Sequence, residues 1–382
     1  MYVKRELSLI KLLKRKSHFL LGPRSTGKTK LIENTLPDAF VINLLIDDFF
    51  SKLIRRPSLL SEIIPPRTDL VVIDEIQKIP QLLNEIHNLI ETKGIKFLLT
   101  GSSARKLKRN GANLLGGRAW ESHLFPLTAL ELGKDFSLIR YLNQGGLPAI
   151  YFSEYPQVEL KNYIKLYLKE EIQEEAAVRR FDHFVRFLDV TALANGEELN
   201  FEAIASDSGV PARTVAGFFE ILENTLLGFQ LVPYLKTKNR KAIKRSKFYF
   251  FDVGVAGALA HRGEIKDKSE LFGKAFEHFI LQELRAYLSY NNLDLEMSYW
   301  RTAKQQFEVD VVLGTQLAIE IKSSTNISEK HMGGLRALRE ENQISSFMVV
   351  SQDPVERIVD GIRIVPWTIF LSDLAKGKLL KP

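Results

Sequence analysis

Three patterns of apolar and polar residues run along this chain, and each predicts a different element. The first is the near-unbroken apolar run: "HFLL" (18–21), "LVVI" (70–73) and "FLL" (97–99). Such runs fit strands buried on both faces, as in a parallel sheet. The second is three- and four-residue spacing. In "LNFEAIASDSGVPARTVAGFFEILENTLL" (199–227), Phe201, Ile204 and Ala205 make one helical stripe, and Val215, Phe218, Phe219 and Leu222 make another. "DSGV" supplies the turn between them, and Pro211 suits the first position of the second helix. "FQLVPYL" and "KFYFFD" then read as two strands. A longer amphipathic helix comes next in "LFGKAFEHFILQELRAYL" (271–288), with Phe276, Phe279, Ile280 and Leu284 on its core face.

The third pattern is alternation. "FEVDVVLGTQLAIEIKSS" (307–324) places two Val/Ile/Leu-rich strands about a Gly-Thr-Gln turn. Turn length decides what the hairpin does with its charges. With three turn residues, Gly314 to Gln316, Leu313 opposes Leu317, Asp310 lies across from Glu320, and Glu308 faces Lys322. Asp310, Glu320 and Lys322 then share one face, while Val309, Val311, Ile319 and Ile321 fill the other. A two-residue turn would pair Asp310 with Ile319 and part the carboxylates. Opposed carboxylates repel unless a proton or a cation relieves them, and Mg²⁺ or Mn²⁺ suits hard oxygen donors. Glu277 lies beside the apolar stripe of the preceding helix, within reach of such a site.

Composition narrows the chemistry. The 382 residues, 45% hydrophobic and 26% charged, suffice for two or three domains with proper cores. There is no cysteine, which excludes disulfides, thiol catalysis and thiolate-bound zinc, and the seven histidines show no ligand spacing. No apolar run is long enough to cross a bilayer. The basic start, "MYVKRELSLIKLLKRKSHFLLGP", lacks a small-residue cleavage site and reads as a helix leading into the first core strand. A cytoplasmic protein is expected. Net charge is +7, and seven Lys or Arg without one acid fall within "LKTKNRKAIKRSK" (235–247), between the two middle strands. Helices followed by a basic hairpin have the form of a winged helix. Arg213 is the main side chain on its second helix suited to bases, whereas Lys236, Lys238, Arg240, Lys241, Lys244, Arg245 and Lys247 suit phosphates, so duplex DNA with weak sequence preference is the expected partner. The bland alternative is a solvated loop or a protein contact.

"GPRSTGKT" (22–29) fulfils the pattern G-x-x-x-x-G-K-[ST] directly after a strand. Gly22, Pro23, Arg24, Ser25, Thr26 and Gly27 form a loop whose N–H groups wrap phosphates; Lys28 reaches the β- and γ-phosphates of ATP, and the Thr29 hydroxyl binds Mg²⁺. "LVVIDEIQKIP" (70–80) ends its strand in Asp74, placed to hold Mg²⁺ through water, and Glu75, placed to orient or deprotonate the attacking water. "KFLLTGSS" (96–103) ends in Ser102, with Thr100 as the other choice, where AAA-type ATPases keep a γ-phosphate sensor. Arg118, beside two glycines, reads equally as an arginine finger or as a surface ion pair. A finger acting between subunits requires a homo-oligomer.

The ordered set of the P-loop, "IDEIQ", "LTGSS", "GGR…FPLTALEL" and "GGLPAIY" (145–151) resembles a family of bacterial and archaeal AAA-type ATPases fused to a restriction-endonuclease-like domain. The resemblance covers nearly the whole chain. It implies a lid near the adenine at Gly146 and Pro148. Glu277, Asp310 and Glu320-x-Lys322 resemble the PD-(D/E)XK signature, although no proline precedes Asp310. That likeness implies a metal on Asp310 and Glu320, Lys322 stabilising the nucleophile or the pentavalent phosphorus, and Glu277 tuning or holding a second metal. The expected fold is therefore α/β in three parts: an AAA-type P-loop ATPase domain (1–135), a helical lid with a winged helix (136–262), and a restriction-endonuclease-like α/β domain (263–382). Two functions fit it: an ATP-driven DNA enzyme, or a nucleotide-switched scaffold whose C-terminal domain only holds a partner.

Overall fold

The apolar runs form a five-stranded parallel sheet. In the computed structural model, which describes residues 2–102, 115–168, 181–267, 269–304 and 307–381, strands β1 (Ser17–Leu21), β2 (Phe40–Asn43), β3 (Leu70–Asp74), β4 (Lys96–Gly101) and β5 (Ala119–His123) lie in the order β2-β3-β4-β1-β5. Alternate side chains feed two cores: Phe19, Leu21, Val71, Ile73, Phe97 and Leu99 on one face, Leu20, Val72 and Leu98 on the other. Burial on both sides is why these segments are unbroken in apolar character. The basic N-terminal stretch forms helix α1 (Leu9–Arg15), capped by Ser8, and leads into β1. Helix α2 (Lys28–Thr35) springs from Gly27, whose φ of 95° favours glycine. Helix α3 (Leu82–Lys93) covers one sheet face through Leu82, Leu83, Ile86 and Leu89.

The middle of the chain holds helices α4 (Phe181–Leu193), α5 (Phe201–Ser208) and α6 (Ala212–Asn224). Asn200 caps α5, and Gly209 ends it in a left-handed conformation, φ 64°. Phe184, Phe187, Ile204, Val215, Phe218, Phe219 and Leu222 share one core. Phe201 stays exposed at the rim, its ring 5.5 Å from that of Phe219.

The next two strands depart from expectation. Strands β6 (Gly228–Pro233) and β7 (Lys247–Phe250) form the anticipated antiparallel pair, but they are not a free wing. β6 pairs in parallel with β8 (Met297–Arg301), and the resulting sheet has eight strands, β12-β13-β11-β10-β9-β8-β6-β7. Its other members are β9 (Glu308–Leu313), β10 (Leu317–Lys322), β11 (Ser346–Ser351), β12 (Arg357–Val359) and β13 (Ile362–Pro366). The sheet thus crosses the expected boundary at residue 263. The basic connection is sewn down as well: Ile243 N–H donates to Arg301 O (2.8 Å), Ala303 N–H donates to Lys241 O (3.1 Å), and Ala242 bridges Thr302. The buried Glu341 carboxylate accepts the backbone N–H groups of Lys238, Asn239 and Arg240 at 2.7, 2.8 and 3.0 Å.

Helix α7 (Glu270–Tyr290) packs Phe276, Phe279, Ile280 and Leu284 on one face of this sheet, and helix α8 (Gly333–Arg339) packs Leu335 and Leu338 on the other. The β9–β10 turn has three residues, and the register is Leu313↔Leu317, Val312↔Ala318 and Val311↔Ile319. The ladder ends there, so the expected pairs of Asp310 with Glu320 and of Glu308 with Lys322 are not part of it, and Asp310 instead takes the Ile321 N–H on its side chain. Between β8 and β9 the register slips, from Ser298↔Val312 to Trp300↔Val309, so β9 carries a bulge across Asp310 and Val311. Val309 accordingly joins the α8 core with Val312 and Ala318, while Val311, Ile319 and Ile321 join the α7 core.

Candidate functional site

The P-loop lies where the sheet order puts it, at the C-terminal end of β1 and beside β4, which separates it from β3. Gly22 leaves no room for a side chain: a Cβ there would stand 2.5 Å from Leu124 O. Lys28 Nζ donates to Gly22 O (2.6 Å) and Pro23 O (3.1 Å), Thr26 Oγ1 donates to Pro23 O (2.9 Å), and the non-glycine Ser25 holds φ 65°. Thr29 and Asp74, with Asn43, line one cavity of about 430 Å³. Thr100 Oγ1 donates to Asp74 and accepts the Glu75 N–H (3.2 Å), so the β4 tip bridges the two acids. Gln77 Nε2 donates to Glu75 and to Ser102 Oγ (3.2 Å), tying the candidate water-activating acid to the candidate sensor. Two neighbours reach the loop from later in the chain: a side chain at Gly27 would stand 3.7 Å from Pro148 Cγ, and Tyr163 OH donates to Arg24 O (3.2 Å).

The second site is a cavity of about 250 Å³ lined by Glu277, Glu308, Asp310, Glu320, Lys322, Lys247 and Tyr249, among others. Asp310 sits at the bulge, and its Oδ2 accepts the Ile321 N–H (2.7 Å) in place of a backbone carbonyl. Lys322 Nζ stands 2.5 Å from Glu320 Oε1 and 3.9 Å from Asp310 Oδ2. Tyr249 OH donates to Glu277 Oε1 (2.5 Å). Burial, then the Asp310 charge, raises both Glu277 and Glu320 above the ordinary carboxylate range. Burial alone would lower Lys322, but Asp310 and Glu320 outweigh it and hold the ammonium above its usual value. Glu320 Oε2 is buried and has no hydrogen-bond partner among the described residues. Five carboxylates, those of Glu197, Glu277, Glu308, Asp310 and Glu320, line this cavity beside Lys247, Lys274 and Lys322, with an orphaned oxygen among them. No three acidic or histidine side chains among the described residues stand as a ready ligand set; the oxygens are turned to ammonium groups instead.

The remaining candidates scatter. Lys236, Lys238, Lys241, Lys244 and Arg245 are exposed, as is Arg213 at the start of α6. Two members of the basic run are not phosphate ligands in waiting. Arg240 bonds Glu340 (2.5 Å) and Ala337 O (3.2 Å), its side chain only 20% exposed. Lys247 is the first residue of β7, buried in the carboxylate cavity. Alternation in "KFYF" carried the missed signal, because Lys247 and Tyr249 must share a face. Arg118 pairs with Glu91 on α3 (2.6 Å), both half-exposed. Sequence reasoning also passed over Arg5. Its buried guanidinium donates to Glu131 Oε1 (2.9 Å), to the P-loop carbonyl of Thr26 (2.7 Å), to Phe125 O (2.6 Å) and to Tyr290 OH (3.2 Å) at the end of α7.

Comparison with known proteins divides the chain in three. Residues 14–133 match a family described as an AAA domain; residues 135–266 and 272–370 match two domains of unknown function, DUF8612 and DUF4143. Relatives include the uncharacterized protein MJ1637 of Methanocaldococcus jannaschii, 22% identical over 341 residues, or 79% of this chain and 70% of the relative. An uncharacterized protein of Haemophilus influenzae is 22% identical over 316 residues, 77% and 75% of the two chains. Among solved structures, the Aeropyrum pernix ORC1 protein in complex with DNA aligns with 68% of this chain and 93% of its own, at 15% identity and a TM-score of 0.26. A likeness that weak carries no argument. No helix among the described residues is long and apolar enough to cross a membrane. The family match over residues 14–133, together with the phosphate loop and its acidic strand end, makes this part of the chain a P-loop ATPase domain of the AAA type.

Proposed function

We propose that the chain is an ATP-hydrolysing, DNA-interacting protein whose C-terminal carboxylate cavity is a metal-dependent nuclease centre of the PD-(D/E)XK kind, with helices α4 to α6 and the β6–β7 pair as its winged helix. The observation that carries this reading is the meeting of Glu277, Asp310, Glu320 and Lys322, from three separate elements, around one cavity. In the ATPase half, Lys28 binds phosphate, Thr29 and Asp74 hold Mg²⁺, Glu75 orients water, and Ser102 senses the γ-phosphate. In the C-terminal half, Asp310 and Glu320 fit Mg²⁺ or Mn²⁺ through the orphaned Glu320 Oε2. A divalent ion there supplies Lewis-acid polarisation of a phosphodiester and a more acidic water. Lys322 holds a positive charge beside the place where charge develops on the phosphate. The exposed lysines of the 236–244 stretch lead along the chain toward this cavity, three residues from Lys244 to Lys247.

One observation favours the second reading, a nucleotide-switched scaffold that binds without cutting: the carboxylates already face ammonium groups. Supercoiled plasmid incubated with the full chain, Mg²⁺ or Mn²⁺, with and without ATP, separates the two. Nicking that Asp310→Ala or Glu320→Ala abolishes, and Lys322→Ala slows, supports the nuclease. DNA-stimulated ATP turnover without nicking under either metal rejects it for the scaffold.

A further inference from the structure

We propose that Lys247 is a built-in cation standing in for a second metal, so that the carboxylate cavity takes one divalent ion, at Asp310 and Glu320. The inference rests on the metal-site reading above and deepens it. Lys247 comes from β7, part of the unit N-terminal to the hairpin, and reaches the cavity only because β7, β6, β8 and β9 are consecutive strands of one sheet. Its Nζ stands 2.6 Å from Glu308 Oε1 and 3.7 Å from Glu277 Oε1, and 5.1 Å from the centre of the Tyr299 ring, with its side chain 7% exposed.

Two further observations fix where a metal is left room. Glu277 Oε1 already accepts Tyr249 OH and faces Lys247, so this oxygen is engaged without a metal. The orphaned oxygen is at the other end, on Glu320 beside Asp310. Charge agrees with geometry. Glu197 is matched by Lys274 at 2.7 Å and Glu198 by Arg301 at 3.0 Å, and Glu308 faces both Lys247 at 2.6 Å and Arg301 at 3.7 Å, so the Glu308 end of the cavity already holds two cations. Burial alone would lower Lys247, but Glu277, Asp310 and Glu308 outweigh it and hold the ammonium above its usual value. On this proposal Glu277, expected to tune or hold a second metal, holds Lys247 instead.

The test is calorimetric titration of the nucleotide-free full chain with Mn²⁺. The Asp310→Asn/Glu320→Gln double variant is subtracted to remove ions bound elsewhere. We expect a difference of one Mn²⁺ per chain for the unaltered protein. Lys247→Met should bind two, or one at least about tenfold more tightly, because a unit charge a few ångströms from the ion has been removed. Lys247→Arg, which keeps the charge, should bind one at the original affinity. A difference of two ions in the unaltered protein overturns the proposal, as does a Lys247→Met titration that matches it. If Lys247→Met fails to fold in a thermal melt, the stoichiometry of the unaltered protein and Lys247→Gln decide the matter. No difference from the double variant would sink the metal-site reading itself, and this inference with it.

Discussion

Replacing Arg5 by Ala removes a guanidinium whose three nitrogens serve four acceptors: Glu131, Thr26 O, Phe125 O and Tyr290 OH. Both charged partners are almost wholly buried, Arg5 at 3% and Glu131 at 0% side-chain exposure. Breaking a buried pair from one side costs about 3–5 kcal/mol, most of it from the stranded charge. Glu131 is not wholly stranded, because it still accepts the N–H groups of Glu6 (2.9 Å) and Thr128 (3.0 Å). The lower end, about 3 kcal/mol, is therefore expected. The Thr26 carbonyl loses its anchor at the same time, and the loop must be ordered by the nucleotide instead. ATP affinity should then fall about tenfold, the equivalent of ~1.4 kcal/mol. Urea unfolding of the nucleotide-free chain and fluorescent-nucleotide titration measure the two effects. Lys at position 5 has a point charge and no fork, so Arg5→Lys should recover little of either. An Arg5→Ala protein within about 1 kcal/mol of the original and with unchanged nucleotide affinity would refute the reasoning. Full recovery in Arg5→Lys would also refute it, since the geometry of the fork would then be irrelevant.

Lys28→Ala should weaken triphosphate binding, whereas Glu75→Gln should keep it and stop turnover; ordinary hydrolysis rates in the latter would unseat Glu75. Replacing Lys236, Lys238, Lys241 and Lys244 with Ser should make the salt dependence of DNA binding shallower, by roughly 0.9 in the log–log slope for each phosphate no longer neutralised. Arg240→Ser, at a docked position, should instead show itself in the melt, at about 1–3 kcal/mol. Burial lifts Glu283 to about 8 from an ordinary 4.5, with its carboxylate accepting the Ala129 N–H (2.8 Å). The folded state then holds a proton that the unfolded chain releases, so stability should fall as pH rises from about 4.5 to 8, by up to ~5 kcal/mol. Glu283→Gln should flatten that decline, and a pH–stability profile identical to the unaltered protein would remove Glu283 as its source.

How far the sequence reaches depends on the range of the forces involved. The phosphate loop was legible because glycines, a lysine and a threonine at fixed spacing are a local requirement, met before any distant contact forms. The hairpin register was legible next to the turn for the same reason: a three-residue turn sets Leu313 against Leu317, and the pairing runs on to Val311 against Ile319. The parallel strands declared themselves by burial on both faces. Beyond that range the sequence misled in ways the fold explains. The run from Lys236 to Lys247 looks uniform in one dimension, yet its last lysine opens a strand and turns inward, and Arg240 is held by Glu340 and Glu341 about a hundred residues away. Val309 left the face that alternation assigned it because β8, a strand the hairpin does not contain, imposed a bulge at Asp310. Arg5 had no motif to mark it, because its acceptors come from residues 26, 125, 131 and 290. Chain entropy hides such contacts from any local pattern: segments far apart meet only when sheet order and helix packing bring them together. The sequence by itself determined the phosphate loop and the carboxylates' spacing; only the tertiary structure decided which cations face those carboxylates.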